Sequence, residues 1–179
     1  MTARGPALRE IAIPAVAFGS LRAHLEKEAG SLPTVHALHH AGYAAGAAAA
    51  PALQSGTGDA SALGEAAFWA RLSDFFARRG WGSLRHARSH PAVGVLSSDD
   101  WAEATAGDGG PDASCHFSAG LLSGMLTELA GGPVAVLEVA CRSRGGTACQ
   151  FVFGSEGAIH ELYGRMLESD DLDGALAAL

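Results

Sequence analysis

Between positions 61 and 79 the apolar residues Leu63, Ala66, Ala67, Ala70, Leu72, Phe75 and Phe76 recur at helical spacing, while Arg71, Asp74, Arg78 and Arg79 take polar positions. A stripe of that period predicts an amphipathic helix, ended by Gly80 and Gly82. The period then shortens: residues 83–90 and 92–96 are β-type runs divided by Pro91. Farther on, Ser114 is placed to cap a helix over 115–130 that stops at Gly131, Gly132 and Pro133. Two more β-rich runs, 134–142 and 147–153, are joined by Ser143, Arg144, Gly145 and Gly146 in the form of a hairpin. Residues 156–179 read as one helix with a break near 169–173.

Upstream the pattern is less regular. Pro6 and Pro14 around the apolar stretch 11–18 predict an extended lead-in over residues 1–17. Ser20 then caps a helix through about Ala29, closed by Gly30, and a second helix runs from Thr34 to about Ala50, ahead of Pro51. Gly42, Gly46 and the neighbouring alanines give this second helix a face without bulk, open to close approach by a backbone or a ligand. Residues 54–59 and 105–113 are polar, glycine-bearing loops. Helices, then strands, a helix, a hairpin and a helical tail predict an α+β domain in which helices pack on an antiparallel sheet.

At 179 residues and 48% hydrophobic content the chain suits one domain over 1–179 with a substantial core. A formal net charge of −7 speaks against a phosphate-gripping face, so nucleic acid is not an expected partner. No window resembles a membrane span, and the first residues lack the apolar core of a signal peptide, which predicts a cytoplasmic protein. Three cysteines, all between 115 and 149, fit a disulfide framework poorly.

Geometry suggests another use for them. Cys115 falls at a helix start, where free amides and the dipole favour a thiolate. A hairpin loop of Arg144, Gly145 and Gly146 would set Cys141 opposite Cys149, with glycine supplying the left-handed position. Glu138 precedes Cys141 by three residues, which on an ideal strand means the opposite face, so a bulge, twist or early strand end is required between them. Cys115, Glu138, Cys141 and Cys149 would then form a closed tetrahedral site for zinc, structural because no coordination position stays open. Iron–sulfur clusters more usually want four cysteines. Arg142, Arg144 and the helix end would offset part of the negative charge. Two alternatives stay open from spacing alone: three small buried hydrophobes beside a surface glutamate, or a cross-strand disulfide between Cys141 and Cys149.

The run Cys115-His-Phe-Ser-Ala-Gly120-Leu-Leu-Ser-Gly124, followed by Leu137-Glu138-Val-Ala-Cys141-Arg-Ser-Arg-Gly145-Gly-Thr-Ala-Cys149, resembles the 4-vinyl-reductase domain family. That family is related to the sensor domains of phenol- and xylene-responsive bacterial regulators and, more distantly, to TRAPP trafficking subunits. The resemblance is strong over 114–154, and Ser97 to Glu103 looks like the family's segment of small residues, an aromatic and an acid. It implies zinc on Cys115, Glu138, Cys141 and Cys149, since the phenol-sensing members bind zinc through a cysteine, a glutamate and two later cysteines at this spacing. It also implies a compact, frequently dimeric fold enclosing a pocket for a small hydrophobic or aromatic molecule. The His and Trp that hold the phenol hydroxyl in those regulators have no matched positions in this chain.

The resulting expectation is a stand-alone small-molecule sensor or binding domain, a homodimer with a separate effector protein. Candidate pocket walls are Phe68, Trp69, Phe117, Leu121 and Met125, each also suited to plain core. His39 and His40, with His36, could bond a ligand hydroxyl or hold a second metal, although such pairs usually lie exposed or satisfied. A vinyl reductase is less favoured, because no strand-linked Gly-x-Gly-x-x-Gly or other cofactor motif is present, nor any catalytic constellation above chance. A tetrapyrrole-pathway accessory protein and a non-catalytic scaffold subunit are the remaining readings.

Overall fold

The computed structural model of the chain describes residues 8–54, 63–104, 114–169 and 171–179. Both loops read from the sequence, 54–59 and 105–113, fall largely or wholly outside that range. The described elements are helices α1 (Val16–Ala29), α2 (Ser31–Gln54) and α3 (Glu65–Ala77), strands β1 (Arg85–His90) and β2 (Val93–Ser98), helix α4 (His116–Ala130), strand β3 (Ala135–Ala140), a 3-10 turn (Arg142–Arg144), strand β4 (Cys149–Gly154) and helices α5 (Glu156–Glu168) and α6 (Leu172–Ala177).

The four strands form one antiparallel sheet in the order β1-β2-β4-β3. Alternation along the central strands serves two cores. Leu96 and Phe151 point into a core shared with α2, α3 and α4, while Val93, Val95 and Val152 point to the other face, covered by α5 and α6. Because both faces are covered, β2 is apolar and buried almost throughout.

Helices α2 and α4 pack together through glycines on both sides. A methyl group at Gly42 or Gly46 would overlap a carbonyl of α4, and one at Gly120 or Gly124 would overlap a carbonyl of α2. The face without bulk on α2 is thus used for backbone-to-backbone approach.

Several boundaries differ from the sequence reading. Helix α1 starts at Val16 instead of after Ser20, because Pro14 and Ala15 already supply the carbonyls for its first turn; the extended lead-in is correspondingly shorter. Helix α2 begins at Ser31 with Pro33 in its first turn, where a missing N–H costs nothing, and it continues past Pro51 because Ala49, Ala50 and Leu53 are buried in the main core. The hairpin lacks a tight three-residue loop: β3 ends at Ala140 and the connection to β4 contains the 3-10 turn, with Gly145 in the left-handed region at φ 86°. The break in the C-terminal helix lies where the sequence placed it, between α5 and α6.

Candidate metal centre

Glu138 and Cys141 share a face because β3 is irregular. Glu138 lies opposite Phe151 but Ala140 lies opposite Gln150, so one extra residue is accommodated between them. After that shift, Cys141 follows the end of β3 and Cys149 opens β4, and their sulfurs gather with a carboxylate oxygen of Glu138. The irregularity expected between Glu138 and Cys141 is therefore present.

Cys115 arrives from the start of α4, and its amide donates to Glu138 Oε2 at 2.9 Å. One ligand atom from each of Cys115, Glu138, Cys141 and Cys149 lies within 4.8 Å of all the others. The Cys115 sulfur stands 3.8 Å from those of Cys141 and Cys149. A disulfide needs about 2.05 Å, and all three cysteines are free. By contrast, a tetrahedral ion bound at about 2.3 Å sets its sulfurs about 3.8 Å apart.

The electrostatics also ask for a cation. All three cysteines are buried, and Glu138 Oε1 is buried with no hydrogen-bond partner. Burial, reinforced by the Cys141 sulfur, pushes the Glu138 carboxyl up to about 9. Hydrogen bonds from Cys115 and then Cys149 hold the Cys141 thiol far below its ordinary range, and the same contact with Cys141 pushes Cys115 far up. Burial thus disfavours gathering several negative charges in the cluster without a cation. A cation held by the three sulfurs and the orphaned carboxylate oxygen would reverse that preference.

Two serines complete the surroundings. Ser143 Oγ lies 3.0 Å and Ser114 Oγ 3.5 Å from the Cys141 sulfur, and Ser114 donates to Ser143 at 2.7 Å. Ser114 is therefore not the cap of α4; the residue at that position is Cys115, whose side chain makes no capping bond. Instead the helix start is capped from a distance by two acids. Glu138 takes the Cys115 amide, and buried Glu103 takes those of Phe117 and Ser118 at 3.0 and 2.7 Å. Ser118 also donates to Glu103 through its hydroxyl and accepts from the Trp101 indole at 2.7 Å.

The same turn of α4 borders a cavity of about 510 Å³. Its walls are Ala45, Ala48 and Ala49 of α2, Phe75 and Phe76 of α3, Trp81, and Phe117 and Leu121 of α4, with residues 8–13 along one side. Phe18 of α1 packs 5.4 Å from Trp81 and 5.2 Å from Phe117, and the latter two rings are parallel within 1°. Of the wall residues expected from sequence, Phe117 and Leu121 line this cavity. Phe68 and Trp69 line a separate, shallower recess of about 390 Å³ beside Arg88, and Met125 is fully buried core. His39 and His40 lie on α2 outside the cavity wall, His39 half-buried with its pKa lowered by burial and then by His36 and His40.

Sequence reading did not single out Trp81, Phe18, Arg79 or Glu10 as cavity residues. Trp81 sits between two helix-ending glycines and Glu10 in a proline-flanked segment, so neither belongs to a periodic pattern. Only tertiary packing, Phe18 against Trp81 and Phe117 and Glu10 against Arg79, joins them.

The sequence model of the V4R domain matches residues 99–155. No curated protein sequence matches the chain. Among solved structures, the phenol-responsive sensory domain of the transcription activator PoxR, solved with phenol, has a TM-score of 0.68 at 15% identity, over 82% of this chain and 77% of that one. A vinyl-4-reductase family protein from Methanocaldococcus jannaschii has a TM-score of 0.53 at 20% identity, over 82% and 83%. A trafficking protein particle complex subunit 3 from Naegleria fowleri, covalently bound to palmitic acid, has 0.56 at 13%, over 78% and 91%. The resemblance to the 4-vinyl-reductase domain is thus shown: residues 99–155, which carry all four clustered side chains, match that domain on a fold shared with these three structures.

Proposed function

We propose that the chain is a single small-molecule-binding sensor domain for a hydrophobic or aromatic ligand, braced by a structural zinc ion. The carrying observation is that one helix start serves both sites: Cys115 reaches the sulfur cluster while Phe117 and Leu121, on the same helix, line the cavity. An ion there would fix α4 and with it one wall of the pocket. Zinc suits the donor set because it takes sulfur and carboxylate oxygen without a geometric preference of its own. With Cys115, Glu138, Cys141 and Cys149 as ligands no coordination position is left for chemistry, which supports a structural role. The phenol-responsive neighbour supports reading the cavity as a ligand site.

The same reading includes a homodimer that passes ligand occupancy to a separate effector protein. Helix α1 buries none of its residues, and Val16, Leu21 and Leu32 are exposed along α1 and the start of α2, an apolar surface suited to a second copy. No helix among the described residues is long and apolar enough to cross a membrane.

Native mass spectrometry combined with elemental analysis tests the proposal. The expected result is about one zinc per chain, a dimer peak, and a small apolar molecule carried through purification or taken up on incubation. Metal-free folded protein with three reactive thiols would refute the zinc, and failure to take up any small apolar molecule would refute the pocket.

A further inference from the structure

The cavity wall is apolar apart from three charged side chains, Arg9, Glu10 and Arg79. In a chain of net charge −7 this lining carries two arginines to one glutamate. Arg79 is held from its own side of the cavity. Its Nη1 donates to the Phe75 carbonyl at 3.0 Å, and its guanidinium carbon lies 3.6 Å above the centre of the Phe75 ring. Those two contacts fix the plane and leave the Nε and Nη2 edge free to face a planar acceptor. Glu10 fills that role: its carboxylate takes Nε at 2.6 Å and Nη2 at 3.3 Å, a two-point grip.

The two partners are anchored unequally. Arg79 follows α3, whose Phe75 and Phe76 are core residues, whereas Glu10 belongs to the irregular segment before α1 and its side chain is half-exposed. Releasing Glu10 disturbs no helix, strand or core side chain. Releasing Arg79 would disturb the Phe75 contact.

We propose that the cavity takes a small apolar molecule bearing one carboxylate, which replaces Glu10 on the Arg79 guanidinium while its apolar body lies against Trp81, Phe117 and Leu121. The inference rests on the binding reading above and narrows it to a ligand class. Glu10 then acts as an internal stand-in for the ligand, and exchange releases the Glu10 side chain from the mouth of the cavity.

Calorimetric titration of the native chain with two acid and amide pairs, 2-naphthylacetate with 2-naphthylacetamide and decanoate with decanamide, tests this. The expected result is that at least one acid binds about tenfold tighter than its amide, the worth of one charge-assisted two-point contact at a partly open site. Arg79→Gln should erase that preference, bringing acid and amide to equal affinity, and Arg79→Lys should restore part of it. Glu10→Gln, a change at a half-exposed side chain, should tighten acid binding severalfold, more than it tightens amide binding. Equal affinity for acid and amide in the native chain would overturn the ligand class and leave the apolar pocket standing. Failure of all four compounds to bind would overturn the pocket reading itself. A Glu10→Gln chain that binds the acids no better than the native chain would overturn the exchange.

Discussion

One oxygen of Glu138 accepts the Cys115 amide and the other, buried, accepts nothing, although three sulfurs stand beside it. A buried acceptor left without a partner costs about 1–3 kcal/mol or more when charged, and a cation in the cluster would remove that cost. Cys149→Ser should therefore lose the metal by elemental analysis and lower the melting temperature by about 10 °C or more, because binding of a structural ion is part of the folding free energy. Glu103 presents a different balance. Burial pushes its carboxyl up to about 7 against the bonds from Ser118 and the Phe117 amide, which act to lower it. A carboxyl whose folded pKa is raised stabilises the fold fully below the unfolded value, about 4.3, and loses that contribution as pH rises through about 7. Thermal melts of the native chain and Glu103→Gln should show the native chain favoured most near pH 5, with the difference shrinking toward pH 8. A difference constant across that range would mean that Glu103 stays ionised throughout.

At the scale of elements, the crossing of α2 and α4 depends on four glycines. Gly46→Ala would push a methyl into the Leu121 carbonyl, with backbone on both sides and little room to relax. The expected loss is about 3 kcal/mol. Gly164 of α5 has nothing within 4 Å of its missing Cβ, so Gly164→Ala should stabilise the chain by about 1 kcal/mol through helix propensity. Denaturant unfolding of the two variants measures both signs. Prolines acted less strictly than a local rule suggests. Pro51 does not end α2, because the next turn carries Leu53 into the main core, and that burial outweighs one missing hydrogen bond.

For the whole molecule, the sheet separates two cores, and Cys115, Cys141 and Cys149 belong to the one containing α2, α3 and α4. Stripping the proposed ion with a chelator under reducing conditions should therefore act unevenly. Amide hydrogen exchange should accelerate over the start of α4 and the turn after β3, while α6, docked on the opposite face, changes least. Uniform acceleration would mean that the ion supports the entire fold and not one face of it.

Much of this was legible in the residues alone. The spacing of Cys115, Glu138, Cys141 and Cys149 already demanded an irregular strand, since three residues on a regular one cannot share a face, and the register shift between Glu138 and Ala140 supplies it. Periodicity likewise set the order of helices and strands, because helical and β repeats are local properties of the chain. The cavity was not legible. Glu10, Phe18, Arg79 and Trp81 come from a proline-flanked segment, a helix that buries none of its own residues, and the region where α3 gives way to glycines, and no local pattern links them. Nor could sequence tell that Ser114 turns to Ser143 while Glu103 caps α4, because a local serine and a distant carboxylate compete for the same amides. Local chemistry therefore determined which elements form and which side chains could gather on an ion. Only tertiary packing decided which surfaces face one another, because that choice depends on contacts between residues far apart in the chain.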